Sequence, residues 1–159
     1  MISFYRDNWY RIGGVAFVAL AFVMGFWGHA CSPLQVILVY SFLALLAHQF
    51  EEYELPGGAT VVLNVAFYGE KRDFDRYPGN KQNCMLVNSL AYLFYVVPIV
   101  FPQLVWLGLA MMFFGFFQVL GHGITMNVKG KTLVQPGPGH RSLAAPADWD
   151  LLHQVRDGP

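Results

Sequence analysis

The sequence predicts an all-α integral membrane protein, a bundle of four transmembrane helices with a cytoplasmic loop and a polar C-terminal tail. Of its 159 residues, 55 % are hydrophobic and only 13 % are charged, whereas roughly 25 % are charged in a soluble domain. Two long runs, 12–50 and 82–128, contain no Asp, Glu, Lys or Arg. Each run is about twice the ~20 residues that one crossing needs, so each is expected to hold two helices.

Prolines indicate where each pair of helices turns, because proline disrupts a helix interior. Pro33 interrupts the first run, and Pro98 and Pro102 interrupt the second. The predicted spans are 11–29, 34–50, 84–101 and 103–122, in a transmembrane domain of residues 1–134. Residues 135–159 form a polar tail that is expected to be flexible. A soluble protein with two very apolar hairpins is the alternative, but its helices should carry a polar stripe, which these mostly lack.

The distribution of basic residues predicts the orientation in the membrane. Lys and Arg occur in the N-terminal segment, in the long middle segment 51–83 and after residue 128, and the two short links contain none. With four spans these three segments share one face, which the positive-inside rule makes cytoplasmic. We therefore expect a multi-pass protein of the cell inner membrane with both termini in the cytoplasm. Trp9 and Tyr10 are expected to anchor the first span at the interface.

Composition also indicates which partners to expect and how the middle segment is arranged. The net charge is zero and no basic patch stands out, so nucleic acid is not an expected partner. The stretch from Leu55 to Gly69 is apolar but too short for a crossing, and it suits an interfacial or re-entrant segment. The expected partners are the lipid bilayer, a lipid-like small molecule, and either further copies of the chain or a larger membrane complex.

The sharpest feature is a group of ionisable residues where the second span ends. His48 is followed by Gln49 and Phe50 and then by two acids, Glu51 and Glu52. On a helix, residues three and four apart share a face, so both carboxylates can approach the imidazole. Ionisable groups at the edge of a bilayer are costly and tend to be functional. A simple interfacial His–Glu pair is the alternative interpretation.

The predicted topology brings polar residues of the other spans to the same depth. Asn88 begins the third span, and the fourth span ends with Gln118, His122 and Asn127. Helix bundles build metal sites from inward-facing carboxylates and histidines of this kind. The nitrogen and oxygen donors suit zinc, iron or manganese. We expect His48, Glu51, Glu52 and His122 to be the catalytic and metal-binding residues; Asn88, Gln118 and Asn127 would support them.

The roles within this group follow from the chemistry of the side chains. His48, Glu52 and His122 are expected to hold the ion, and Glu51 would be the general base, although the two glutamates can exchange roles. A bound divalent ion activates water or polarises a carbonyl or phosphoryl group. Without a metal, the same His and Glu residues can act as acid and base.

These residues also resemble a known family. The segment 48–52 resembles the signature of the HXXEE family of bacterial integral membrane proteins, and 122–127 resembles its second histidine segment. Asn88 matches a family position at the start of a span, and the resemblance covers roughly 10–137. It implies a membrane protein for which enzymatic activity is suspected, with no substrate assigned. The chain departs from the family after 137, where a polar segment replaces another apolar stretch; it is either a shortened member or has a non-native end.

The leading functional hypothesis is a metal-assisted membrane hydrolase or oxidoreductase that acts on a lipid-like or membrane-dissolved small molecule. The alternative from another class is a non-catalytic membrane subunit or a small proton-linked carrier that uses the same His and Glu residues. The absence of broken helices in two matching halves argues against a transporter.

Overall fold

The computed structural model of the chain describes residues 2–55, 57–70, 72–73 and 75–120. These residues form five α-helices and one 3₁₀ turn, and they include no strand. The elements are α1 (Ile2–Trp27), the 3₁₀ turn (Gly28–Ala30), α2 (Pro33–Tyr53), α3 (Ala59–Tyr68), α4 (Lys81–Val100) and α5 (Val105–Leu120). The all-α prediction is confirmed.

Three of the helices are long and apolar enough to cross a membrane: α1 with the turn that follows it, α2, and α4. By length and composition, these helices are compatible with the expected membrane protein. The fifth helix is also apolar, but its 16 described residues are fewer than one crossing needs. The fourth crossing stays a prediction, because residues 121–134 lie outside the described residues, as does the tail 135–159.

Short-range hydrogen bonds set the ends of α2. The Ser32 hydroxyl accepts a hydrogen bond from the backbone N–H of Gln35, whose side chain in turn accepts one from the backbone N–H of Ser32. This capping box, with Pro33 in the first turn, explains why the helix begins there. Beyond the other end of α2, Gly57 has a φ of +78°, a conformation that glycine adopts without strain.

The first helix begins at Ile2, nine residues before the predicted start of the span at residue 11. The structure shows that the polar residues around Arg6 belong to the helix and extend it beyond its apolar part. Trp9, an expected interfacial anchor, is only 2 % exposed, because its ring packs against Tyr53 with centroids 4.7 Å apart. The expectation for Trp9 is corrected: it joins α1 to α2. Arg11 reinforces this contact through an ion pair with Glu54 at 3.0 Å.

Close approach of α1 and α2 depends on a glycine. A β-carbon built on Gly14 would lie 2.7 Å from Cδ2 of Phe50, a separation that real contacts do not allow. Phe50 is part of the sequence motif, and its ring occupies the space that Gly14 leaves. The missing side chain on α1 therefore fixes the rotation of the last turns of α2.

The N-terminal ends of α1 and α4 and the C-terminal end of α2 meet at one end of the bundle, which we call the motif end. The Tyr5 hydroxyl lies 2.8 Å from the Ser89 hydroxyl, and the Asn88 amide donates to the Tyr53 hydroxyl at 3.2 Å. At the opposite end, the Gln35 amide donates to the carbonyl of Ile99. Every Asp, Glu, Lys and Arg in the described part of the chain lies in these three helix ends or in the segment that links α2 to α4.

The segment after α2 contains α3, and Asn64 of this helix forms hydrogen bonds with the loop that precedes α4. This side chain is 1 % exposed. Its amide donates to the carbonyl of Arg76 at 2.7 Å, and its oxygen accepts from the N–H of Gly79 at 3.1 Å. A helix now occupies most of the predicted interfacial or re-entrant stretch, whose position relative to the bilayer stays a prediction.

Replacing Gly14 by Ala is expected to destabilise the protein by about 1–3 kcal/mol, because the new methyl group meets the rigid ring of Phe50. Gly25 is the matched control: it lies in the same helix, and a β-carbon there would meet nothing within 4 Å. Gly25→Ala should be neutral or stabilising by up to ~1 kcal/mol, since alanine favours helix. The thermal midpoints of both variants in lipid nanodiscs measure the difference. Equal midpoints would show that Phe50 does not need the glycine.

Replacing Asn64 by Leu should loosen the turn from 76 to 79, because the carbonyl of Arg76 and the N–H of Gly79 lose their partner. Two lost hydrogen bonds correspond to about 1–3 kcal/mol. We expect faster limited trypsin cleavage after Arg72 and Arg76. Asn8→Leu is the control, since Asn8 bonds an exposed carbonyl within α1. Unchanged cleavage in the Asn64 variant would contradict a stabilising role for this side chain.

Candidate functional site at the motif end

The sequence motif occupies the last turns of α2, and its five side chains point in different directions. Gln49 is buried at 1 % exposure, and Phe50 packs on Gly14. His48 and Glu52 are half-buried, whereas Glu51 is exposed. Helical geometry thus gives neighbouring residues of the motif separate environments within the bundle.

The structure brings His48 and Glu52 together. Nε2 of the imidazole lies 3.6 Å from Oε2 of the carboxylate, with the two side chains 28 % and 16 % exposed. This separation is an ion-pair distance rather than a hydrogen bond. Glu51 is close enough to act electrostatically on the imidazole. Of the two acids expected near His48, Glu52 makes the ion-pair contact from inside the bundle, and Glu51 acts from its surface.

A chain of polar side chains joins this part of α2 to α4. The Gln49 amide donates to Oδ1 of Asn88 at 2.9 Å. The Asn88 amide donates in turn to the Tyr53 hydroxyl at 3.2 Å and to the carbonyl of Cys84 at 2.9 Å. Asn88 therefore contacts the last turns of α2 through Gln49 and Tyr53, and its supporting role at the His–Glu pair stays a prediction.

Gln49 and Tyr53 are residues of this site to which sequence reasoning gave no role. A signal for both was present, because Leu45, Gln49 and Tyr53 follow one another at intervals of four. An amide on an otherwise apolar stripe of a buried helix requires a polar partner. Tyr53 also closes the site toward α1, since its ring lies 4.7 Å from Trp9 and stacks on Tyr10 at 6.0 Å.

The fifth helix packs in parallel with α2 on another side. A β-carbon built on Gly108 would lie 2.7 Å from Cδ2 of Leu38, so α5 touches α2 at this level. His48 lies ten residues after Leu38 on α2, and Gln118 lies ten residues after Gly108 on α5. Because parallel helices rise equally per residue, Gln118 lies level with His48. Gln118 is half-buried in the last described turn of α5.

The remaining predicted residues lie beyond the part of the chain that the structure describes. His122 and Asn127 belong to the segment after residue 120. Among the described residues, no three His, Cys, Asp or Glu side chains form a group that could hold a metal ion. His48 and Glu52 supply two donors, so the predicted metal site depends on His122 and stays a prediction.

The comparisons with known proteins agree with the motif. A family model described as protein of unknown function with HXXEE motif matches residues 39–139. Comparison with curated proteins and with solved structures gives no match. The matched range begins within α2 and contains the His48–Glu52 pair, Gln49 and Asn88. Since this range covers more than half of the 159 residues, the chain belongs to the HXXEE-motif family.

Proposed function

We propose that this chain is an integral enzyme of the inner membrane in which His48 and Glu52 act as an acid–base pair on a lipid-like or membrane-dissolved small molecule. The motif end faces the cytoplasm in this proposal. That end and the segment that links α2 to α4 carry the Arg and Lys residues of the described chain, and positive charge near spans favours the cytoplasmic side. The N-terminus and the end of α5 then lie in the cytoplasm.

The observation that carries the proposal is the contact of 3.6 Å between His48 and Glu52, both partly buried, at the end of a largely apolar helix. An imidazole beside a carboxylate can take a proton from a substrate or a water molecule, and the carboxylate stabilises the imidazolium that forms. Catalytic contacts are often long without substrate and shorten in the reacting complex. Glu51, exposed beside His48, is placed to exchange protons with water.

The position of the pair supports a substrate that arrives through the membrane. His48 and Glu52 lie in the last two turns of a helix that can cross the bilayer, next to the buried residues Leu45 and Leu46. An apolar molecule with its reactive group near the headgroup region would reach this level directly. The amide chain through Gln49 and Asn88 holds α2 against α4 beside the pair.

A metal-assisted version of this function adds His122 as a further ligand. His122 lies outside the described residues, and the sequence favours it, because the predicted second and fourth spans end at the same face of the bundle. With zinc, iron or manganese bound between them, the ion would activate water or polarise a carbonyl or phosphoryl group. Glu51 would then serve as the base.

Replacement of the pair should abolish turnover of membrane lipids. We expect purified protein in vesicles of a bacterial polar lipid extract to form a product that mass spectrometry detects. His48→Ala and Glu52→Gln should each lower its rate by about 10²–10⁴-fold, the usual contribution of a general acid or base. Glu51→Gln should lower it less. His29→Ala is the control, since His29 lies in the 3₁₀ turn at the other end of the bundle.

Two results would count against the acid–base proposal. The first is an equal rate in the wild type, His48→Ala and Glu52→Gln. The second is a wild type that forms no lipid product and instead shows another property. That property is either co-purification with a larger complex or pH-dependent uptake that the His48 and Glu52 changes abolish. Those findings would favour the subunit or the proton-linked carrier, respectively.

Elemental analysis tests the metal-assisted version separately. We expect about one equivalent of zinc, iron or manganese per chain in the wild type and in His29→Ala, because neither lacks a ligand. The double variant His48→Ala/His122→Ala should contain much less. A wild type without stoichiometric metal, or a double variant that retains it, removes the ion from the mechanism and leaves the acid–base pair.

A further inference from the structure

The hydrogen-bond chain at the motif end has a fixed direction. The carbonyl of Cys84 can only accept, so the group of Asn88 that lies 2.9 Å from it must be the amide nitrogen. The oxygen of Asn88 is then turned toward Gln49 and accepts at 2.9 Å. Consequently the nitrogen of Gln49 is the atom that meets Asn88, and the orientation of both amides follows from a backbone carbonyl.

This direction leaves the oxygen of Gln49 as a buried acceptor. Gln49 is 1 % exposed, and among the described residues no donor lies within hydrogen-bond distance of its Oε1. Rotating the amide would not help, because it would bring two acceptor oxygens of Gln49 and Asn88 face to face. A buried carbonyl without a donor costs free energy, and more so where the surroundings are apolar.

The acceptor belongs to the same level of the bundle as the proposed acid–base pair. Gln49 directly follows His48, and it precedes Glu52 by three residues on a shared helix face. Leu45 and Leu46, one turn earlier on α2, are buried as well. Burying a charged donor at this level costs more hydration free energy than burying a neutral hydroxyl or amide N–H.

We propose that Oε1 of Gln49 determines the substrate class of the site by accepting a hydrogen bond from an uncharged O–H or N–H group. The inference rests on the proposed function, since it assigns a ligand to the same site. The substrate class is a neutral membrane-dissolved molecule that carries a hydroxyl or an amide near its reactive group. A site built to bond such a group discriminates against an analogue that lacks it, because the protein atom is then left unpaired.

The test compares two probes that differ in a donor: 1-dodecanol and dodecyl methyl ether, at equal mole fraction in nanodiscs that contain the full chain. The wild type should bind the alcohol about tenfold more tightly than the ether, which corresponds to one hydrogen bond, measured by the shift of the thermal midpoint with probe concentration. In protein labelled with ¹³C-glutamine, the alcohol alone should move the Gln49 carbonyl band to lower wavenumber. The Gln49→Met variant identifies that band.

Gln49→Met should bind the two probes equally. Gln35→Met is the matched control: Gln35 lies two heptads earlier on the same helix and donates to Ile99 at the other end of the bundle, so this variant should keep the preference for the alcohol. Equal binding of both probes by the wild type overturns the inference, as does a preference that Gln49→Met retains. If Gln49→Met does not fold, the comparison of the two probes in the wild type still decides.

Neither readout needs turnover, so this inference and the proposed enzyme can fail separately. A preference for the alcohol in a chain that makes no lipid product supports a binding site without the acid–base function. A lipid product formed without such a preference overturns the role of Gln49 and leaves His48 and Glu52 as they are.

Discussion

The hydrogen bond from Gln49 to Asn88 is the interaction on which the motif end depends. In hydrocarbon a side-chain amide has no water to bond, so two amides on facing helices stabilise each other's burial; such pairs contribute on average about 0.6 kcal/mol, and up to about 1.7 kcal/mol. Here the bond does more than add stability. It fixes the depth at which α2 meets α4, and therefore the level at which His48 and Glu52 lie.

Much of this architecture could be predicted from the sequence because long charge-free apolar runs leave few choices of secondary structure. The charge-free runs and Pro33 predict the helices and the turn between α1 and α2 closely. The beginning of α1 could not be found in this way, since a helix continues through charged residues once it leaves the apolar layer. The burial of Trp9 was missed for a related reason: an aromatic residue at that depth suits the interface and a helix contact equally well.

The sequence indicated His48, Glu52 and Asn88 as candidate site residues, but it revealed neither their geometry nor the roles of Gln49 and Tyr53. Spacing allows either Glu51 or Glu52 to approach His48, because three and four residues are both compatible with one helix face. The rotation of α2, in which Phe50 fills the gap at Gly14, decides which of the two glutamates faces the bundle. Likewise, nothing near Asn64 in the sequence reveals that its partners lie twelve and fifteen residues further on.

The two residues between the His and the first Glu of the motif explain which way the pair faces. Successive residues of an α-helix are about 100° apart. Phe50 points to α1 at Gly14, and Gln49 points to α4 at Asn88. One further step of about 100° in the same direction turns His48 away from both of these contacts. Glu52 is only about 40° from His48 around the helix, so it shares this face, and Gln49 and Phe50 orient the pair by contacts of their own.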